Sequence, residues 1–173
     1  GSSDSDMWRI YSMQANGSDV QLMTNDGRGT WAGAWSPDGR SIVFSLNYPR
    51  PADIVTMDTA IGELVNLTRS DAHDSAAHWS PDGARIVFYS DRDGDNEIYV
   101  MDADGSNLER LTENPANDWT PNWSPDGRQI VFASDRGSEG NGAMGLYLLD
   151  LQTGAVTPLA TPAGAGSPFW AAY

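Results

Sequence analysis

Trp35-Ser36-Pro37-Asp38-Gly39 recurs as Trp79-Ser80-Pro81-Asp82-Gly83 and again as Trp123-Ser124-Pro125-Asp126-Gly127, at an interval of 44 residues from 35 to 79 and from 79 to 123. Identical pentapeptides at equal spacing mark a repeat architecture, in which each unit buries its apolar face against the next. The pentapeptide has its own mechanics. Proline presets φ at the second turn position, and glycine accepts the conformation that ends the turn. The preceding tryptophan closes a strand, where a wide ring fills the wedge between adjacent units, so these tryptophans are read as structural.

Each pentapeptide is followed by an Ile-Val-Phe run, at Ile42 to Phe44, Ile86 to Phe88 and Ile130 to Phe132. These runs read as short strands buried on both faces. A second apolar run follows in each unit, at Ile54 to Met57, Ile98 to Met101 and Leu146 to Leu149, and closes on Asp58, Asp102 or Asp150. Asp102-Ala103-Asp104-Gly105 then supplies the side-chain capping and positive φ that a tight hairpin needs. A fourth strand is expected to end at Leu67-Thr68, Leu111-Thr112 and Leu159-Ala160. Four short strands per unit, separated by turn chemistry, predict an all-β chain of β-propeller blades.

The stretch Asp118 to Gly127, with its Asp-x-x-Pro-x-Trp-Ser-Pro-Asp-Gly pattern, resembles the TolB-type (PD40, WD40-like) propeller repeat. Ser90-Asp91-Arg92-Asp93-Gly94 and Glu97-Ile98-Tyr99-Val100-Met101-Asp102 are similar to the middle strands of that family. The resemblance implies a binding scaffold in the periplasm or a secreted location. The family includes protein-binding envelope components and propellers attached to serine peptidases and sensors. It also implies a closing strand. Ile10-Tyr11-Ser12-Met13 aligns with Ile98 to Met101, and Ser167-Pro168-Phe169-Trp170 matches Thr120 to Trp123. The expected organisation is a leader at 1–6, read as a cloning remnant, then a propeller over 7–173. Its blades fall at about 29–72, 73–116 and 117–164, and a partial blade combines 7–28 with 165–173. That partial blade lacks an Ile-Val-Phe strand. Open edges recruit further chains, so self-association, as a dimer, is expected.

Composition narrows the partners. Ten Lys and Arg against 24 Asp and Glu leave a formal charge of -14, which repels phosphate backbones and anionic lipid heads. Nucleic acid and membrane insertion are therefore not expected, and no apolar run reaches the roughly 20 residues that span a bilayer. There is no cysteine, so disulfides, thiolate metal sites and cysteine nucleophiles are excluded. Hydrophobic content of 39% with seven tryptophans is that of a folded domain.

Chain reversal at every strand sends the Ser-Pro-Asp-Gly and Asp-Gly turns to one face of the disc. The irregular segments, Asn47 to Asp53, Asp91 to Asn96, Asp135 to Gly145, Ser70 to His78 and Glu113 to Asn122, go to the other, which is the expected functional face. Two groups of acids there suit a hard cation such as calcium. Asp74 and Asp118 each lie five residues before an anchoring tryptophan, at the expected channel mouth, although Thr30 and Ala165 break the symmetry. Asp91, Asp93 and Asp95 alternate like the start of a calcium loop, but the glycine comes one place early and no twelfth-position glutamate follows. The alternative readings are backbone capping and a solvated loop. No Gly-x-Ser-x-Gly elbow, phosphate loop or His-Glu-x-x-His motif occurs, and His73 and His78 are the two imidazoles. The expected function is thus non-catalytic protein or peptide binding. The alternative is a carbohydrate-active or other hydrolytic propeller using clustered carboxylates, which needs two acids on one face.

Overall fold

The structure, a computed structural model, describes residues 9–24, 29–47, 51–137, 144–160 and 168, with the backbone alone at 31, 32 and 47. The leader at 1–6, Ala165 and the closing strand expected around Ser167 to Trp170 lie outside that description, Pro168 apart. The described elements are strands, and they form three four-stranded antiparallel meanders and a two-stranded opening pair. The opening pair is β1 (Tyr11–Ser12) and β2 (Gln21–Leu22). The first blade holds β3 (Gly29–Trp35), β4 (Ser41–Asn47), β5 (Asp53–Asp58) and β6 (Leu64–Asn66). The second holds β7 (Asp74–Trp79), β8 (Arg85–Ser90), β9 (Glu97–Asp102) and β10 (Glu109–Arg110). The third holds β11 (Asp118–Trp123), β12 (Gln129–Ser134), β13 (Gly145–Asp150) and β14 (Val156–Pro158). The fourth strands end a residue or two before the expected points. Their ladders nevertheless continue through Leu67, Leu111 and Leu159, whose N–H groups donate to Ile54, Ile98 and Leu146 carbonyls at 2.8, 2.7 and 2.8 Å.

The Ile-Val-Phe strands are the spine of the core. Phe44, Phe88 and Phe132 are fully buried, as are Ile86 and Ile130, because each of these strands packs against a neighbouring sheet. Val43 and Ile54 of the first blade pack with Phe88, Tyr99 and Met101 of the second. Val87, Ile98 and Val100 of the second pack with Trp123, Ile130, Phe132 and Leu149 of the third. Each unit thus offers a forward face to the next. Ile10 and Met23 of the opening pair present theirs to Ile42, Phe44 and Met57.

The pentapeptide turn is identical in all three blades. Gly39, Gly83 and Gly127 take φ of 70, 72 and 69°, the left-handed region where a Cβ would be strained. Their N–H groups donate to Ser36, Ser80 and Ser124 carbonyls at 2.9 Å. Each serine Oγ donates to the aspartate two residues on at 2.6 Å and accepts the N–H of the residue five on at 2.9 Å. The three aspartates Asp38, Asp82 and Asp126 are held below the ordinary carboxylate pKa, first by the serine hydroxyl and then by a backbone N–H.

Tryptophan packing follows the units. Trp123 is buried, with Nε1 donating to His78 O of the preceding blade at 3.2 Å, and Trp79 is half-buried against the first blade's core. Trp35 is 52% exposed.

Candidate functional site

The variable-loop face is built on buried acids. Asp74 opens β7 and Asp118 opens β11, both with no exposed surface. Desolvating a carboxylate is expensive unless it is paired, and each is paired within its own blade. Arg92 Nη2 reaches Asp74 Oδ1 at 3.0 Å, and Arg136 Nη2 reaches Asp118 Oδ2 at 2.6 Å. Each guanidinium also lies over two aromatic rings, Arg92 at 5.6 Å from Phe88 and 4.9 Å from Tyr99, Arg136 at 5.1 Å from Phe132 and 5.0 Å from Tyr147. A planar cation on stacked rings with a buried counter-charge holds the loop after the second strand against the start of the first.

These arginines were open to sequence reading. Ser90-Asp91-Arg92 and Ser134-Asp135-Arg136 stand 44 residues apart, and each arginine is 18 residues after its aspartate. In both, the serine Oγ accepts the arginine Nε at 3.0 Å. The first blade has no acid there. Thr30 is buried instead, its Oγ1 3.4 Å from Thr24 Oγ1.

A third buried acid, Glu97, begins β9. It accepts from Arg110 Nη2 at 3.0 Å, Asn114 N at 2.8 Å and the Thr112 hydroxyl. Asp53 does the same work in the first blade, accepting from Asn66 Nδ2, Thr68 Oγ1 and Ser70 N at 2.8, 3.1 and 3.1 Å. Gly145 stands at this position in the third blade, so the scaffold on this face differs from blade to blade.

The acids predicted as cation ligands have protein partners as follows. Asp74 Oδ2 accepts from Ser70 Oγ at 2.8 Å, in addition to the arginine on Oδ1. Asp118 Oδ2 takes both Arg136 and Asn114 Nδ2, the latter at 3.0 Å, while Oδ1 is buried without a hydrogen-bond partner. Asp91 Oδ1 accepts His73 N at 2.7 Å, the bond that Asp135 makes to Asn117 N in the next blade at 2.9 Å. Asp93 Oδ2 accepts the Tyr99 hydroxyl and lies 3.7 Å from Arg110 Nη1. Burial, then the Asp93 hydrogen bond, push the Tyr99 phenol well above its ordinary range. Asp95 is exposed. Among the described residues no three acidic or imidazole side chains gather as a metal centre.

The two histidines part company. His78 is held below the ordinary imidazole pKa by burial. His73 lies on the surface of this face, where it shares a shallow depression of about 430 Å³ with Pro51, Asp71 and Asp91. Among the described residues no helix is long and apolar enough to cross a membrane.

Over residues 53–170 the chain matches the model of the Tricorn protease N-terminal beta propeller domain. Among solved structures it is similar to a putative TolB from Agrobacterium tumefaciens, with a TM-score of 0.80 and 31% identity over 87% of this chain and 55% of that one. TolB from Acinetobacter baumannii follows at 0.74 and 24%, covering 88% of this chain and 37% of that one. An oligogalacturonate lyase from Vibrio parahaemolyticus gives 0.67 and 14%, over 88% and 47%; these last two likenesses bear on the fold alone. The chain thus spans 55% and 37% of the two TolB structures. No curated protein matches it.

Proposed function

Because the chain belongs to the Tricorn protease N-terminal β-propeller family, we propose that it is a non-catalytic, TolB-like scaffold that binds a protein or peptide on its variable-loop face. One observation carries this reading: the buried acids Asp74, Asp118 and Glu97, and the half-buried Asp53, are tied to arginines, hydroxyls and amides that fix the loops. What such an arrangement offers to solvent is a rigid, irregular surface around Pro51, Asp71, His73 and Asp91. A periplasmic or secreted location goes with the TolB likeness. The test is selection of binders from a displayed peptide library, with the best peptide mapped by NMR. Shifts confined to the loops around His73 and Asp91 support the reading. Turnover of a chromogenic glycoside or ester that disappears in Asp91→Asn would establish the hydrolytic alternative instead.

Self-association has its own support. Tyr11 and Met13, on the backward face of the opening pair, are 56% and 69% exposed. At the other end Leu146 and Leu148 are half-buried where Ile98 and Val100 are buried. A forward face of one copy meeting the backward face of another repeats the contact that already joins the blades. Light scattering on a sizing column is expected to give a mass above 18.7 kDa, and Met13→Lys is expected to reduce it. A strict monomer at high concentration removes this part. Among the acids of the cation reading, Asp118 has a buried oxygen, Oδ1, with no hydrogen-bond partner among the described residues, which supports it as a ligand. Equal melting in calcium and in chelator would retire it.

A further inference from the structure

The face opposite the variable loops carries two equivalent inter-blade grooves with different contents. They form because the pentapeptide turns stack: a Cβ on Gly83 would lie 3.5 Å from Pro37 Cδ, and one on Gly127 would lie 3.7 Å from Pro81 Cδ. Between the second and third blades, the groove over Trp123 is filled by the chain itself. The Arg85 guanidinium lies over that indole with Cζ 5.0 Å from the ring centroid. Between the first and second blades the floor is Trp79, and the residue 44 places before Arg85 is Ser41. The short serine leaves a cavity of about 310 Å³, lined by Ser36, Pro37, Asp38, Ser41, Trp79 and Asp82.

We infer that the groove over Trp79 receives an arginine side chain from a partner polypeptide, in the place that Arg85 takes over Trp123. The floor is the aromatic ring most attractive to a cation. The two carboxylates beside it, Asp38 and Asp82, supply the counter-charge, and a guanidinium stacks on an indole while donating sideways to carboxylates. Both acids are ionised at neutral pH, since the Ser36 and Ser80 hydroxyls hold them below the ordinary range. Arg40, 3.9 Å from Asp38, is itself 85% exposed and leaves the groove open. A net charge of -14 favours the approach of a basic segment. The two indoles also differ in their anchoring. Trp123 Nε1 donates to His78 O, whereas Trp79 Nε1 is buried with no partner among the described residues. This site lies on the opposite face from the one in the functional proposal and stands independently of it.

The experiment titrates the folded chain with acetyl-Gly-Arg-Gly-amide and with its neutral citrulline isostere, following the Trp79 indole N–H resonance, assigned through Trp79→Phe. The arginine peptide is expected to shift that resonance saturably, with the citrulline peptide at least about tenfold weaker. Ser41→Arg, which places the chain's own guanidinium in the groove, is expected to weaken binding by about tenfold or more while leaving the circular dichroism unchanged. Equal response to both peptides, no shift at Trp79, or undiminished binding by Ser41→Arg overturns the proposal. Should Ser41→Arg fail to fold, Asp38→Asn serves as the second variant: several-fold weaker binding supports the site and unchanged affinity overturns it. Shifts around His73 and Asp91 report the other face, so the two proposals fail separately.

Discussion

The second blade and the opening pair share one repeat register and have opposite fates. Tyr99 and Met101 in β9 are 2% and 1% exposed, while Tyr11 and Met13, 88 residues earlier, are 56% and 69% exposed. Both segments pair with the strand that follows over two residues, and β9 is six residues long because it also pairs with β8 along its length. Their forward faces behave alike, since Ile10 packs on the first blade as Ile98 packs on the third. The backward faces differ because β9 has β8 beside it and the first blade behind it. Burial in a propeller is therefore a property of the neighbouring sheet as much as of the strand.

That contrast can be broken most forcefully at the arginine clamp. Arg92→Met leaves Asp74 buried and unpaired, and breaking such a pair costs about 3–5 kcal/mol. Urea denaturation should show a loss of that order. A loss no greater than that of a surface substitution would mean that the burial of Asp74 does not depend on Arg92. Next comes the paired test at one repeat position. Met101→Ala should cost about 2–5 kcal/mol, and Met13→Ala less than about 0.5 kcal/mol. Equal costs would show that the opening pair is covered in solution, and concentration dependence of the Met13→Ala effect would locate the cover in a second copy.

Two pH experiments sharpen the comparison with smaller effects. The Tyr99 phenol has its pKa raised by burial and by Asp93. Its contribution is thus complete below the unfolded value of about 10 and is lost as pH rises beyond it. Denaturation midpoints should fall above about pH 10 in the wild type, and Tyr99→Phe should remove part of that slope. An unchanged slope would assign it to other groups. At the acid end Asp82, with its pKa lowered first by Ser80, contributes above the ordinary carboxylate pKa and loses that contribution as pH falls through its own. Ser80→Ala should raise the Asp82 pKa in an NMR titration, with Asp126 as the unaltered internal control. A shift in neither, or in both, would break the assignment of the turn to its own serine.

Much of this was legible in residue spacing. The pentapeptide turns and the doubly buried Ile-Val-Phe strands follow from turn chemistry and from continuous apolar runs, and the sheets run as those elements require. The acids were legible as positions and not as interactions. The partners of Asp74 and Asp118, Arg92 and Arg136, carry a signal of their own in the Ser-Asp-Arg triplet that recurs 44 residues apart. Glu97 gave no local signal, since Arg110, Thr112 and Asn114 come to it from the far side of a hairpin.

By itself the amino-acid sequence determined the repeating unit, its four strands and the geometry of its turns. Backbone conformation and the serine–aspartate turn bonds close within about five residues, and the same five residues produce them three times. Only the tertiary structure decided that Trp35 is exposed while Trp123 is buried, that a guanidinium covers Trp123 while a cavity lies over Trp79, and that Tyr11 meets solvent where Tyr99 meets a neighbouring blade. Those outcomes depend on which sheet lies alongside. Desolvation and charge pairing act through space over a few ångströms, and residues that distant repeats bring together carry no mark of it in their own neighbourhood of the chain.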